Sequence, residues 1–381
     1  MSDFNKNIII NNTSSQKERK PRIIIAGGGT GGHIFPAIAI ANALKQQDAL
    51  IEILFVGASG KMEMEKVPKA GYKIVGLTIA GFNRSSLFKN IGLPIKLLES
   101  FIQVRSIFKK FKPDAVVGVG GYSSFPVLRF AQAKSIKTFI HESNSFAGKS
   151  NILLGKRATK IFVADEGMEA FFKADKIMIT GNPVRQTIAQ SFITRNEAME
   201  ILRLNPAYKT ILVVGGSLGA KSINDAIASH LDIIEKNNIQ LIWQTGKTNA
   251  NKYKTLAINR TNIWINEFIE RMEIAYAAAD VVISRAGAMA VTELCVVKKP
   301  VVFVPYPHAA EDHQTANAMH LVNKQAALIV KDGEAVHTLI DVVIDLMHSE
   351  MLQQQLKNNI AKLAITNADV VIATEILKQI A

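Results

Sequence analysis

Thirteen short runs of β-branched and apolar residues punctuate this chain, and the segments between them carry apolar residues at helical spacing. The runs fall at 22–26, 51–56, 73–78, 115–119, 136–140, 160–164 and 176–180, then at 210–214, 239–243, 262–265, 280–283, 300–304 and 326–330. Alternation of such strands with helices predicts parallel sheets covered on both faces. Gly181-Asn182-Pro183-Val184-Arg185 follows the seventh run, and its glycine and Asn-Pro pair are turn signals that mark a hinge. Residues 340–381 read as helices with no strand between them. The expected division is a tail over 1–20, an α/β domain over 21–184, a second over 185–364, and a last helix over 365–381 that packs back across the hinge.

Three of the runs end in glycine-rich turns. Ile23-Ile24-Ile25 leads into Gly27-Gly28-Gly29-Thr30-Gly31-Gly32-His33, Val116-Val117 into Gly118-Val119-Gly120-Gly121-Tyr122, and Ile211-Leu212-Val213-Val214 into Gly215-Gly216-Ser217-Leu218-Gly219. Without a Cβ, backbone N–H groups can close on an anion, and a following helix adds its positive end. The first and third turns stand 188 residues apart, as two similar domains would place them. A phosphate-bearing ligand held in a cleft between the domains is the first expectation. Gly27, Gly29 and Gly32 also fit G-x-G-x-x-G, but a dinucleotide enzyme usually carries a ribose-binding acid at the end of the second strand. Here that strand ends Phe55-Val56-Gly57, with Glu52 at its wrong end, which weakens the dinucleotide reading. The third turn misses the P-loop pattern, having Ala220 where the second glycine belongs. There is no D-x-D pair and no Cys/His cluster, so no metal or other cofactor is expected.

At 381 residues with 48% hydrophobic content, two soluble domains with full cores are the natural size. The single Cys295 lies in an apolar run and reads as a buried, inert thiol. No apolar stretch approaches the ~18 residues that span a bilayer, and the polar start is neither a signal peptide nor an anchor. The expected location is cytoplasmic. Net charge is +13, but residues 1–185 carry 27 Lys and Arg against 13 Asp and Glu, while residues 186–381 are near balance. The excess points the first half at an anionic partner: nucleic acid, a membrane surface or an acidic substrate. Residues 82–112 concentrate it, with seven Lys and Arg against Glu99 alone. Over 97–111, Leu97, Phe101, Val104, Phe108 and Phe111 recur at helical spacing and read as a core-facing helix with a solvated basic face. The preceding Phe82, Leu87, Phe88, Lys89, Ile91 and Lys96 mix apolar and cationic groups as a headgroup contact on an anionic bilayer requires.

Two further segments carry chemistry. Ser284-Arg285-Ala286-Gly287-Ala288-Met289-Ala290-Val291-Thr292-Glu293 follows a strand with small residues that open a helix. Its free N–H groups can face a phosphate, and Glu293, about two turns in, can take two ribose hydroxyls. The plainer alternative is a tight strand–helix turn with a surface glutamate. His33 opens the helix after the first glycine turn, where the positive helix end favours a neutral ring able to accept a proton. Local capping is its plainer role.

Together with Ile34-Phe35-Pro36, Gly120-Gly121-Tyr122-Ser123, His141-Glu142-Ser143-Asn144, Gly181–Arg185, Gln244-Thr245-Gly246-Lys247, Phe268-Ile269 and Arg285–Glu293, these turns occur in an order that closely resembles one family. It is that of the bacterial peptidoglycan N-acetylglucosaminyltransferases that convert lipid I to lipid II, and the likeness runs from about Arg22 to the C-terminus. The resemblance implies a GT-B fold, two Rossmann-like parallel-sheet domains facing across a cleft. It implies inverting transfer of GlcNAc from UDP-GlcNAc to the 4-hydroxyl of MurNAc in undecaprenyl-diphospho-MurNAc-pentapeptide. The enzyme would be peripheral on the cytoplasmic face of the membrane, with partners in the cell-wall machinery. By the same resemblance, Ile269 meets uracil through its backbone, Glu293 the ribose, and Ser217, Met289 and Ala290 the diphosphate. Thr30, Gly31, Gly32, Asn144, Ala288, His313 and Gln314 surround the sugar, with Arg185 by the nucleotide. His33 is the base, and Gly120, Gly121, Tyr122 and Ser123 help receive the acceptor. His313 stands where relatives often have glutamine, and Phe125 is bulkier than in some.

Two rivals follow from the same residues. Another GT-B enzyme using UDP-GlcNAc, such as a 2-epimerase, would share the fold but not need the basic-apolar stretch. A nucleic-acid-binding protein would explain the basic half, but aromatic residues make up only 7% and no reader motif appears.

Overall fold

The computed structural model describes residues 20–79, 93–309 and 312–380. Two parallel sheets organise them. The first has seven strands, β1 (Arg22–Ala26), β2 (Glu52–Ala58), β3 (Lys73–Leu77), β4 (Ala115–Gly118), β5 (Lys137–Glu142), β6 (Lys160–Val163) and β7 (Ile177–Ile179), in the order β3-β2-β1-β4-β5-β6-β7. The second has six, β8 (Lys209–Val214), β9 (Ile239–Gln244), β10 (Ile263–Asn266), β11 (Val281–Ser284), β12 (Val301–Phe303) and β13 (Leu328–Ile329), in the order β10-β9-β8-β11-β12-β13. All thirteen coincide with the apolar runs in the sequence.

The central strands carry apolar residues at successive positions because each sheet is covered on both sides there, while the edge strands β3, β7 and β10 are only partly buried. Ile23 and Ile25 enter one core while Ile24 and Ala26 enter another on the opposite face, all fully buried. Ile211 and Val213 face away from Leu212 in the second sheet in the same way. Burying each of these side chains contributes roughly 1.5–3 kcal/mol relative to leaving it exposed. Cys295 is buried in the second domain, and burial pushes its thiol up to about 12, so it is chemically quiet. The chain crosses between sheets at Gly181–Arg185. Asn182 binds both sides of the crossing, its amide donating to the Ser143 carbonyl and to the Thr292 hydroxyl, each at 3.0 Å. The last helix, Ala368–Ile380, lies on the Gly31–Gln47 helix, with Ile372, Ala373 and Ile376 in the first domain's core.

Each strand order reverses direction once, between β1 and β4 and between β8 and β11. Loops leaving the carboxyl ends of strands diverge at such a point and open a crevice, where α/β sheets bind their ligands. The glycine turns after β1 and β4 flank the first crevice. The Gly215–Gly219 turn and the Arg285–Gly287 turn flank the second. The site is therefore fixed by topology before any side chain is considered.

The helix over Leu93–Phe111 departs from the sequence expectation of one core-facing stripe. Of the expected stripe, Val104 and Phe108 are buried and Phe101 and Phe111 half-buried, but Leu97 is exposed, and Ser100 takes an inward place. Ile95, Leu98 and Ile102 form a second stripe on the outside, each at least 63% exposed, continued by exposed Arg105 and Lys109. The apolar residues outnumber the positions one buried face can take, and helical spacing alone does not say which stripe the sheet covers. Among the described residues, no helix is long and apolar enough to cross a membrane.

Candidate active site

The first two glycine turns interlock. Gly28 N–H donates to the Gly120 carbonyl at 3.2 Å, and a Cβ on Gly121 would stand 2.3 Å from the Gly28 oxygen. Only glycine permits this approach, and at Gly121 the backbone is also left-handed, with φ +85°. The first turn is not the open anion cradle expected from its sequence. Gly27 N–H is taken by the Val56 carbonyl, Gly28 N–H by Gly120, and Gly29 N–H by the carboxylate of Glu63 at 2.8 Å. Three turn amides are thus spent on internal bonds. Among the described residues, the amides of Thr30, Gly31 and Gly32, at the start of the Gly31–Gln47 helix, have no protein acceptor and are left for an anion.

His33 sits in that helix's first turn, half-buried. Its Nδ1 lies 3.0 Å from the Gly28 carbonyl and 3.4 Å from the Thr30 hydroxyl. A carbonyl can only accept, so Nδ1 carries the ring proton and Nε2 carries the lone pair. Burial holds the ring below the usual histidine value. Glu142, the bond to Gly28 and Glu63 push the other way with less effect. A neutral ring is the outcome the sequence suggested, with burial added to the helix end as its cause.

Thr30, His33, Gly120, Gly121, Tyr122, Ser123 and Asn144 all line one cleft cavity of about 910 Å³, and His313 reaches it from the second domain. Tyr122 stands 57% exposed at this cavity, while Ser123 is buried. His141 and Glu142 line the cavity too, although sequence reasoning gave a role only to their neighbour Asn144. His141 is buried and pushed down to about 4, by burial first and the nearby His33 next. Glu142 accepts from the Asn144 and Gly148 backbones and from the Asn144 and Asn151 side chains, and so builds the cavity wall.

Across the cleft, the Ala288–Val297 helix starts at Gly287 with no side-chain cap, leaving the Ala288, Met289 and Ala290 amides directed out of its first turn. Ser217 is exposed on the Gly215–Gly219 turn beside it in the sheet order. Arg285 is not part of this anion face, since its guanidinium is bound by the Val304 and Pro305 carbonyls, Asp332 and Ser222. The Ile269 N–H donates to Gln244 Oε1 at 3.0 Å, which leaves its carbonyl to meet a base. Gln244 also donates to the Gly216 carbonyl at 3.1 Å, bracing the glycine turn against the Ile269 segment. Gln314 receives the Tyr306 N–H on its side-chain oxygen at 3.0 Å.

Glu293 is buried, unlike the surface glutamate of the plainer alternative, and both its carboxylate oxygens are engaged. Arg185 grips it through Nε and Nη2 at 3.1 and 3.2 Å, and the Tyr276 hydroxyl donates to it at 3.2 Å. Burial raises the Glu293 carboxyl above its ordinary value, against the opposing pull of Arg185 and Tyr276. Arg185 also lies over the Phe35 ring, 4.6 Å from its centre. One hinge residue thereby touches a helix of each domain. The family resemblance brought Arg185 and Glu293 to the same ligand, but their direct pairing across 108 positions is a product of the fold.

Two Rossmann-like sheets with their switch points turned to one cleft, one side carrying uncapped helix amides and the other a poised histidine, define the GT-B class. The glycosyltransferase family 28 N-terminal domain matches residues 23–163, and the family 28 C-terminal domain matches residues 210–372. The UDP-N-acetylglucosamine–N-acetylmuramyl-(pentapeptide) pyrophosphoryl-undecaprenol N-acetylglucosamine transferase of Phocaeicola vulgatus is 50% identical over 364 residues, 95% of this chain and 97% of that protein. The crystal structure of Acinetobacter baumannii MurG superposes with a TM-score of 0.73 at 29% identity, over 94% of this chain and all of that one. A Neisseria meningitidis UDP-GlcNAc 2-epimerase, solved with UDP-GlcNAc, shares the fold at a TM-score of 0.64 but only 15% identity, over 94% of this chain and all of that one. The chain belongs to glycosyltransferase family 28, among the N-acetylglucosaminyltransferases typified by the Phocaeicola protein.

Proposed function

We propose that this enzyme moves GlcNAc from UDP-GlcNAc to the 4-hydroxyl of MurNAc in undecaprenyl-diphospho-MurNAc-pentapeptide, with inversion at the anomeric carbon. The observation that carries this is His33, whose Nε2 lone pair is set by the Nδ1–Gly28 bond inside the cleft cavity. As the acceptor hydroxyl attacks C1, its proton passes to Nε2. Charge develops on the departing UDP diphosphate, where the Ala288–Ala290 amides and Ser217 supply fixed donors. The Ile269 carbonyl and Glu293 hold the uridine, and Thr30, Asn144, His313 and Gln314 surround the GlcNAc. Because the helix terminus provides the positive end, turnover of a soluble acceptor should persist in excess EDTA.

Incubation with radiolabelled UDP-GlcNAc and a lipid I analogue tests the reading, with labelled disaccharide-lipid as the expected product. Conversion of UDP-GlcNAc to its 2-epimer without acceptor would instead favour the epimerase alternative. Salt-resistant, sequence-dependent retention of DNA or RNA on filters would favour the nucleic-acid one.

The acceptor's diphosphate lies at the headgroup level of the inner leaflet, so the cleft must reach that surface. Phe82, Leu87, Phe88, Lys89 and Ile91 lie outside the described residues. Lys96 is exposed, beside the outward Ile95, Leu98 and Ile102 stripe. All strands of the first sheet are parallel, so the segment leaving β3 starts at the same sheet edge as the glycine turns. The apolar end of the stripe therefore stands on the cleft side and its cationic end farther away. Each Lys or Arg near an anionic surface contributes on the order of 1 kcal/mol, screened by salt. Binding to anionic vesicles should fall with ionic strength, and Leu98→Ser with Ile102→Ser should release the protein while UDP affinity holds. Co-sedimentation unchanged by that pair of substitutions would remove this helix as the contact.

A further inference from the structure

We infer that Glu63 is a positioning residue for the transfer, acting on His33 through the single peptide group that joins Gly28 to Gly29. The inference rests on the reading of His33 as the base. Glu63 opens the short Glu63–Lys69 helix after β2 and is 1% exposed. Its Oε2 accepts the Gly29 N–H at 2.8 Å, and the carbonyl of that same peptide, from Gly28, accepts the His33 Nδ1–H at 3.0 Å. Carboxylate, amide and imidazole thus form one line of donors and acceptors. A carboxylate drawing on the N–H end of an amide strengthens the oxygen at its other end as an acceptor. The effect is to hold the ring in one tautomer and to support the positive charge it gains. An aspartate does this by direct contact in the Ser-His-Asp triad; here a peptide group intervenes.

The surroundings are built for a carboxylate. The second oxygen, Oε1, accepts the Ala58 N–H at 2.9 Å. Two backbone donors face two oxygens, a demand that an amide side chain fails because it must turn its own NH2 toward one of them. A Cβ on Gly28 or Gly57 would stand 2.3 or 2.5 Å from the Glu63 side chain, so both glycines make room for it. Among the described residues, no Lys or Arg forms an ion pair with Glu63, since the nearby Lys66 and Lys69 pair with Glu65, and the Glu63 charge acts to raise the His33 ring. The other titratable groups acting on this region are Glu142, whose charge works in the same direction, and neutral His141. During transfer, the acceptor's proton goes to His33 Nε2, Nδ1 keeps its own, and no proton passes through the peptide.

The test is nitrogen NMR of the His33 ring in the full chain, read beside kinetics of Glu63→Gln. In the wild type, the Gly29 amide resonance should move as His33 titrates; an amide blind to that titration overturns the inference without any variant. In Glu63→Gln, His33 should titrate at lower pH, and its preference for Nδ1–H, still favoured by the Gly28 carbonyl, should weaken. Its kcat should fall roughly 10- to 100-fold, the loss typical of removing the outer partner of a metal-bound histidine and smaller than that of a directly bonded triad aspartate. KM for both substrates should stay within about twofold, since both Glu63 oxygens are already taken by backbone amides. The acid limb of kcat/KM should move to lower pH, because removing a negative charge weakens the base. His33→Ala with Glu63→Gln should be no slower than His33→Ala alone. If Glu63→Gln slows turnover while ring titration and tautomer stay unchanged, Glu63 merely holds the loop and the inference fails. If His33→Ala turns over normally while the NMR coupling is present, it is the base assignment that fails.

Discussion

Replacing His33 by alanine should lower turnover by about two to four orders of magnitude, the usual range for loss of a general base. UDP affinity should change little, because His33 lies with the first domain's turns and the proposed uridine and diphosphate contacts lie in the second. The pH dependence carries the sign. The base works only when neutral, so kcat/KM falls as pH drops through its folded value. That value is held below the ordinary 6.5 by burial, and the acid limb of the profile should lie below that of a free histidine. Stopped assays with saturating acceptor across pH check both statements. A His33→Ala variant with near wild-type turnover would show that another group, or water, takes the proton.

Replacing Glu293 by alanine should weaken UDP-GlcNAc binding by about 1–3 kcal/mol, the cost of leaving sugar hydroxyls and their buried surroundings without a partner. That is roughly a 5- to 150-fold loss of affinity. In the ligand-free protein the carboxylate is already held by Arg185 and Tyr276. The proposed ribose contact would share or displace these bonds, and the variant removes the carboxylate that Arg185 grips at the hinge. Calorimetry should therefore be run on Glu293→Ala and Glu293→Gln, the second preserving shape while weakening the ion pair. Unchanged UDP affinity in the alanine variant would remove Glu293 from the ribose site and leave it as the hinge clasp alone.

Both predictions rest on residues visible in the sequence, but the surroundings that tune them were not. The chain order showed His33 behind a glycine turn. It did not show that Gly28 would turn its carbonyl onto Nδ1, because that depends on the turn's conformation and on Gly120 packing behind it. The end of β2 gives a sharper case. Sequence reasoning looked there for a ribose-binding acid and found none within the strand. In the fold, Glu63 returns from the next helix to that same place and gives both oxygens to backbone amides. An acid does stand where a dinucleotide enzyme would use one, but it is committed to the loop.

The sequence by itself determined the thirteen strands, since a parallel sheet covered on both faces demands short runs dominated by apolar and β-branched residues. It determined the glycine turns, because close backbone approach excludes a Cβ, and it determined the order in which the ligand-facing segments occur. Only the tertiary structure decided the strand order within each sheet, and with it the two crevices. It also decided that three amides of the first turn serve the protein rather than a ligand, that Ile95, Leu98 and Ile102 stay outside, and that Arg185 meets Glu293. Each of these is a choice among partners distant in the chain, made by packing and by the need to satisfy buried polar groups, and local periodicity holds no record of it.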